Sequence, residues 1–132
     1  MRIAKLSYLV RDYDEAISWF TEKLGFALIE DAKLSETKRW VVVAPPNHKT
    51  PGGEGAALLL AKADGEAQAA HIGEQSGGRV FLFLETDDFD RDFAAMTARG
   101  VRFLEAPRSE PYGKVAVFED LHAMKWDLIE RR

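Results

Sequence analysis

Apolar residues recur at helical spacing in two stretches of the chain, and both stretches lie between segments that alternate like strands. Each apolar face consists of residues three or four positions apart: Tyr13, Ile17, Phe20 and Leu24 in the first stretch, and Phe89, Phe93 and Met96 in the second. A helix with one apolar face must cover another apolar surface. The pattern therefore predicts two helices that each pack on a sheet.

Both predicted helices have the same residue types at their ends. Asp12 precedes the first helix and Asp88 the second, and an aspartate at this position accepts hydrogen bonds from N–H groups of the first turn. Gly25 and Gly100 follow the helices, where a left-handed residue is least costly. Capping also explains the acidic clusters at residues 12–14 and 87–90 without catalysis. The shared pattern indicates a duplicated unit.

The remaining apolar segments predict one strand before each helix and three after it. The strands are Ile3–Val10, Phe26–Glu30, Arg39–Ala44 and Ala56–Ala61 in the first half, and Arg79–Glu85, Val101–Leu104, Lys114–Glu119 and Lys125–Glu130 in the second. A turn is predicted over Ala106–Gly113 and a short helix over Glu66–Ala70.

These elements predict an α+β fold made of two βαβββ modules. The modules are residues 1–62 and 79–132, joined by a linker over 63–78 within a single domain of 132 residues. A curled sheet with one helix has an uncovered second face. We therefore expect the two mixed sheets to curl around a cavity, with the helices outside.

Composition narrows the classes of partner. Apolar residues make up 46% and charged residues 30% of the chain, which is ordinary for a globular protein, and the formal charge is −4 without a basic stripe. Apolar runs are too short to span a bilayer, and the absence of cysteine is typical of a reducing compartment. We expect a cytoplasmic protein that binds neither nucleic acid nor membrane.

The order of the motifs resembles the vicinal oxygen chelate superfamily, which includes glyoxalase I, bleomycin-resistance proteins and extradiol dioxygenases. The resemblance covers almost the whole chain and rests on Val10 to Ala16, Trp19-Phe20, Leu24-Gly25-Phe26, Arg39-Trp40-Val41, Glu85 to Asp90, Ala98 to Val101, Tyr112-Gly113-Lys114 and Phe118-Glu119-Asp120. It implies paired βαβββ modules, a homodimer and a small-molecule ligand bound in the cavity.

Enzymes of this family hold a divalent metal through histidine or glutamate. The resemblance places the ligand positions at Lys5, Phe81, Leu58 or a near neighbour, and Asp127. One carboxylate does not hold such an ion against water, and the Lys5 ammonium would repel it. The resemblance therefore implies loss of the metal and no cofactor. The alternative is a divalent-metal-dependent lyase, isomerase or dioxygenase with ligands elsewhere, and catalysis is left open.

Six residues are predicted to line the ligand-binding cavity: Lys5, Ser7, Trp40, Phe81, Phe83 and Asp127. Aromatic walls over a polar floor suit a mostly apolar, ring-bearing molecule with one charged group. Two alternatives stay open: the aromatic residues can belong to the core, and Lys5 can pair with Asp127.

The three histidines have no spacing that brings two of them together. His48, His71 and His122 all fall in predicted loops, so we expect surface residues rather than ligands or bases. His122 belongs to the segment Asp120-Leu121-His122-Ala123-Met124, where relatives carry a glycine-containing turn. The absence of glycine from this segment predicts a reshaped turn.

Overall fold

A computed structural model describes residues 1–46 and 55–132 of the chain. The described residues divide into two compact units, Met1–Ile72 and Gly73–Arg132. The first unit contains β1 (Lys5–Val10), α1 (Tyr13–Glu22), β2 (Ala27–Lys33), β3 (Arg39–Ala44), β4 (Ala57–Lys62) and α2 (Gly65–Ala69). The second contains β5 (Val80–Glu85), α3 (Phe89–Ala98), β6 (Arg102–Phe103), β7 (Arg108–Glu110), β8 (Gly113–Glu119) and β9 (Lys125–Arg131).

The first unit is a four-stranded sheet with α1 on one face. The strand order is β1-β4-β3-β2, and β1 runs parallel to β4 while the other pairs are antiparallel. Tyr8 of β1 meets Phe20 of α1 edge to face with ring centroids 5.4 Å apart, and both side chains are fully buried. The helix therefore covers the face of the sheet to which Tyr8 belongs.

The second unit repeats this arrangement with a five-stranded sheet. Its order is β5-β9-β8-β6, with β7 also paired to β8, and β5 runs parallel to β9. Phe118 of β8 and Trp126 of β9 stack with centroids 5.6 Å apart, and both are buried with Phe89 of α3. The predicted α+β class and the two mixed sheets are confirmed, and both sheets are open rather than closed into barrels.

Both predicted helix caps are present. The Asp12 carboxylate accepts a 2.8 Å hydrogen bond from the Glu15 N–H, and the Asp88 carboxylate accepts one of 3.0 Å from the Arg91 N–H. The weakly patterned segment before the second unit forms the short helix α2. None of the three helices in the described ranges has the length and apolar content needed to cross a membrane.

The predicted turn over Ala106–Gly113 contains a strand that was not predicted. The expected strand Val101–Leu104 is present as the shorter β6, and β7 forms within the expected turn; both strands pair with β8. Between them the Glu105 carboxylate accepts a 3.1 Å hydrogen bond from the Val117 N–H, while Pro107 has no N–H to donate. The Glu105 side chain thus accepts the hydrogen bond that a backbone carbonyl would accept in a continuous strand beside β8.

Candidate functional site

Three of the predicted site residues share one face of the first sheet. Tyr8 packs on α1, so its neighbour Ser7 and the next alternate residue, Lys5, point to the other face of β1. Register partners on neighbouring strands face the same side of a sheet. Val41 pairs with Leu60 and Leu60 pairs with Tyr8, so Val41 faces α1. Trp40, the residue before Val41, therefore faces away from α1. All three belong to the face that the helix leaves uncovered.

Trp40 is held in a fixed orientation on this face. Its side chain is 37% exposed, and the indole Nε1 donates a 3.0 Å hydrogen bond to the Glu30 carboxylate on β2. Because the polar edge of the ring is satisfied within the protein, the exposed part of the ring is apolar. Trp40 therefore offers a stacking surface rather than a hydrogen-bond donor.

Phe83 and Asp127 lie side by side on the second sheet. They are register partners of the parallel pair β5 and β9, and Asp127 is also the partner of Val117 on β8. Phe83 is 64% exposed, which is unusual for a large aromatic side chain on a sheet. Phe81 falls at a bulge between Val80 and Leu82, has no register partner on β9, and is half-buried. The structure thus places an exposed ring directly beside a carboxylate.

Asp127 is the electrostatically unusual member of this surface. Its Oδ1 atom is buried and has no hydrogen-bond partner within the part of the chain that the structure describes. Burial raises the pKa of Asp127, the nearby Arg108 guanidinium opposes that rise, and Glu105 adds to it. The carboxylate oxygen therefore lacks a donor that would compensate for its burial.

Arg108 does not supply that donor because it is already engaged. Its Nε lies 3.0 Å from Glu105 and its Nη1 lies 2.9 Å from Glu110. These interactions raise the pKa of Arg108 further above its ordinary value. The guanidinium is thus a fixed positive charge near Asp127, oriented by two other carboxylates.

The positions implied for metal ligands do not provide a donor set. Lys5, Phe81 and Leu58 have no oxygen or imidazole side chain, and Leu58 lies on the buried face of β4 that Leu60 and Tyr8 share. On the face of Lys5, the nearest positions of β4 are Ala57 and Leu59, which are also apolar. Within residues 1–46 and 55–132, no three His, Cys, Asp or Glu side chains form a group suited to a metal. These residues do not fit the divalent ion of the family.

Two of the histidines lie in loops as expected, and His48 lies outside the described residues. His71 is exposed just after α2, and His122 is half-buried in the turn between β8 and β9. Neither belongs to a group suited to a metal among the described side chains.

The reshaped turn is organised by Asp120, which sequence reasoning missed. Asp120 is only 7% exposed, and its carboxylate accepts hydrogen bonds from the His122 and Met124 N–H groups at 3.0 Å and from Trp126 Nε1 at 2.8 Å. Ala123 in this turn has a positive φ of 63°. A turn-forming aspartate followed six residues later by a core tryptophan was the signal available in the sequence.

Arg39 is a second residue whose role was missed. Its guanidinium lies 2.8 Å from both the Asp14 and the Asp31 carboxylates, and these bonds raise its pKa. The Arg39 N–H also donates to the Tyr13 hydroxyl at 3.1 Å. Arg39 therefore links the start of β3 to α1 and β2, and is not a free anchor at a strand end.

The fold and the order of motifs agree with one family. The sequence model of the Glyoxalase/Bleomycin resistance protein/Dioxygenase superfamily matches residues 2–128. The chain belongs to this superfamily. An uncharacterized protein of Shewanella frigidimarina is 50% identical to it over 129 residues, which are 97% of this chain and 92% of that protein.

Two solved structures superpose on almost the whole chain. UcmS2 superposes with a TM-score of 0.81 at 26% identity, covering 98% of this chain and 97% of that one. TnmS3, an antibiotic binding protein from Streptomyces sp. CB03234, superposes with a TM-score of 0.75 at 27% identity, covering 100% and 97% of the two chains. The solved structures that resemble this chain along almost its full length thus include an antibiotic binding protein.

Proposed function

We propose that the protein binds a small, mostly apolar or aromatic molecule without using a metal ion. The observation that carries this proposal is the exposed Phe83 ring beside the buried Oδ1 of Asp127, which has no hydrogen-bond partner among the described residues. The similarity to TnmS3, whose ligand is an antibiotic, supports the same class of ligand.

Phe83 supplies the apolar part of the interaction. A flat ring stacked on an exposed phenylalanine buries apolar area on both partners and gains about 0.5–1.5 kcal/mol beyond that burial. Ile129 lies two residues after Asp127 on β9, on the other side of the buried Leu128, so it shares the face of Asp127. Val117 is the register partner of Asp127 on β8 and also shares that face. The Asp127 carboxylate is therefore flanked by apolar side chains of β8 and β9, and Arg108 and Glu105 are charged groups near it.

Asp127 supplies the polar part. A ligand ammonium, hydroxyl or amide N–H that donates to Oδ1 would satisfy an oxygen that the described residues leave without a partner. Such a donor is worth more at a half-buried carboxylate than in water. The preferred ligand is therefore a ring system with one hydrogen-bond donor, and a cationic donor is favoured over a neutral one.

The donor chemistry at the family metal positions supports a metal-independent role. Leucine, phenylalanine and lysine side chains at three of the four positions offer nothing to a hard or borderline ion. Metal analysis of the purified protein is the direct check. One tightly held divalent ion per chain would overturn this part of the proposal and favour the alternative of a metal-dependent lyase, isomerase or dioxygenase.

Doxorubicin is a suitable first probe, because it joins a flat ring system to an amine. We expect saturable quenching of its fluorescence, with a dissociation constant that EDTA does not change. Phe83→Ala should weaken binding about tenfold and Asp127→Asn about threefold. Leu104→Ala removes another exposed apolar side chain of the second unit and serves as the matched control. Equal doxorubicin affinities for the Phe83→Ala variant and the parent protein would contradict the proposal.

The proposal also includes the setting in which the protein acts. It is a homodimer in the cytoplasm, without nucleic acid or membrane partners. The unpaired edges of the open sheets support the dimer, because a second copy can cover them. The net charge of −4 argues against binding to nucleic acid or to an anionic membrane. Light scattering coupled to gel filtration tests the dimer. Lys5, Ser7, Trp40 and Phe81 remain predicted ligand contacts.

A further inference from the structure

A network of three charged side chains adjoins Asp127 in the second unit, and it consists of Glu105, Arg108 and Glu110. Arg108 is the register partner of Val115 on β8, two residues before Val117, and Val117 is the register partner of Asp127 on β9. Alternate residues of a strand face the same side, and so do register partners on neighbouring strands. Arg108 and Asp127 therefore share one face of the second sheet.

Glu105 is fixed beside the residue with which Asp127 pairs. Its Oε1 atom accepts a 3.1 Å hydrogen bond from the Val117 N–H and a 3.0 Å bond from Arg108 Nε. The Glu105 side chain is only 32% exposed. Because the Cα atoms of antiparallel register partners are about 4.5–5.5 Å apart, the carboxylates of Glu105 and Asp127 are close neighbours on either side of Val117.

This arrangement offers a ligand more acceptors than donors. The Arg108 guanidinium donates to Glu105 through Nε and to Glu110 through Nη1, and it also forms a hydrogen bond with the Tyr112 side chain. Asp127 Oδ1, in contrast, receives no hydrogen bond from the residues that the structure describes. A ligand group that approaches Asp127 therefore meets carboxylate oxygens, while the hydrogens of Arg108 are directed to partners within the protein.

The charges on this face also favour a cation. Asp127 and the network together contain three carboxylates and one guanidinium. Along the described strands, the other charged residues of the face are two ion pairs and one lysine: Glu85–Arg131, Arg102–Glu119 and Lys125. Carboxylates thus outnumber cations even with Lys125 included. The charges that shift the pKa of Asp127 are those of Arg108, which lowers it, and Glu105, which raises it.

We propose that Glu105 determines the charge specificity of the surface formed by Phe83, Val117, Asp127 and Ile129, so that its ligand is a ring-bearing cation and anions are excluded. This inference rests on the function proposed above and narrows its ligand class. The ring stacks on Phe83, and the protonated amine lies near both carboxylates. Glu105 attracts the amine directly, and it also holds the Arg108 guanidinium away from Asp127.

The test compares three forms of one fluorophore that differ in charge at the amine. Doxorubicin is a cation, N-acetyldoxorubicin is neutral and N-succinyldoxorubicin is an anion, and all three present the same ring system to Phe83. Fluorescence titrations of the full chain should rank their affinities in that order, with doxorubicin binding about tenfold more tightly than the acetyl derivative. Added salt should reduce this ratio.

Three variants assign the ratio to Glu105. Glu105→Gln keeps an oxygen for the Val117 N–H but removes the charge, so it should lower the ratio about threefold by weakening doxorubicin alone. Arg108→Gln removes the opposing charge and should raise the ratio. Glu110→Gln is the matched control, because Glu110 binds the same guanidinium but is not among the charges that shift the pKa of Asp127. Its effect on the ratio should be smaller than that of Glu105→Gln.

The outcomes separate this inference from the function on which it rests. Doxorubicin binding that is absent, or that does not depend on Phe83, would overturn both. If binding depends on Phe83, the inference alone fails when Glu105→Gln leaves the ratio unchanged, weakens all three ligands equally as a structural role would, or matches Glu110→Gln. Should Glu105→Gln not fold, an unchanged or lower ratio in Arg108→Gln would overturn the inference.

Discussion

The two units share an order of elements but differ in where they place their carboxylates. In the first unit, Asp12, Asp14 and Asp31 are at or near the surface, where they cap α1 or pair with Arg39. In the second unit, Asp120 is buried, and Asp127 and Glu105 are half-buried. The described strands of the first sheet have a half-buried carboxylate in Glu30 but none that is buried.

The position of Glu105 follows from the gap between β6 and β7. The seven-residue β2 pairs continuously with β3 apart from one bulge, whereas β6 and β7 leave a gap that the Glu105 side chain fills. The gap brings Glu105 and Arg108 close to Asp127. One interruption of the strand pairing beside β8 thus places charged side chains near the second sheet, whereas the first sheet is continuously paired.

The largest effect should come from Asp120. Asp120→Ala removes the acceptor for three N–H groups, including the indole of the buried Trp126, and should lower the free energy of unfolding by about 3 kcal/mol. Asp12→Ala, which loses only a helix cap, should cost about 1 kcal/mol. Urea denaturation followed by circular dichroism measures both. Equal losses would contradict the contrast between the units.

Glu105 should have an intermediate effect. Glu105→Ala leaves the Val117 N–H without its 3.1 Å partner and releases Arg108, so we expect a loss of about 2 kcal/mol. Glu30→Ala in the first unit removes only the bond from Trp40 Nε1 near the surface and should cost about 0.5 kcal/mol. The same denaturation experiment applies. A larger loss for Glu30→Ala would show that the gap in the second sheet does not depend on Glu105.

The smallest effect, and one of opposite sign, should come from Asp127. The pKa of Asp127 is raised in the folded state. Ionisation of this carboxylate therefore lowers the free energy of unfolding at a pH above that pKa. It has no effect below the ordinary pKa of about 4, where the group is protonated in both states. Asp127→Asn should therefore stabilise the protein at pH 7 by under about 1 kcal/mol, and the gain should vanish on acidification.

Asp31→Asn is the matched comparison for this profile. It removes an ion-pair partner of Arg39 and should lower stability slightly at pH 7. Melting temperatures measured from pH 3 to pH 8 give both curves. If Asp127→Asn lost stability at neutral pH, the carboxylate would have a partner that the described contacts do not include.

Local signals were sufficient for the elements but not for the contacts between them. The caps at Asp12 and Asp88 and the alternation in β1 and β9 depend on neighbouring residues, and the sequence predicts them. The strand β7 was missed because Arg108, Ser109 and Glu110 have no strand pattern of their own and form one only by pairing with β8.

The candidate sites show the same limit. Phe83 and Asp127 were predicted to be ligand contacts from the family resemblance, and the register makes them neighbours. Asp127 Oδ1 has no hydrogen-bond partner in residues 1–46 and 55–132, and this could not be predicted because it depends on Arg108 being held by Glu105 and Glu110.

The left-handed backbone at Ala123 has a consequence for how the chain reaches this fold. An alanine in this conformation costs about 1–2 kcal/mol that a glycine would not. The Asp120 carboxylate offsets that cost only when Trp126 and the two turn N–H groups are already in reach. All three donors lie within six residues of Asp120, so the β8–β9 hairpin can offset this cost with its own local contacts, before the other strands assemble.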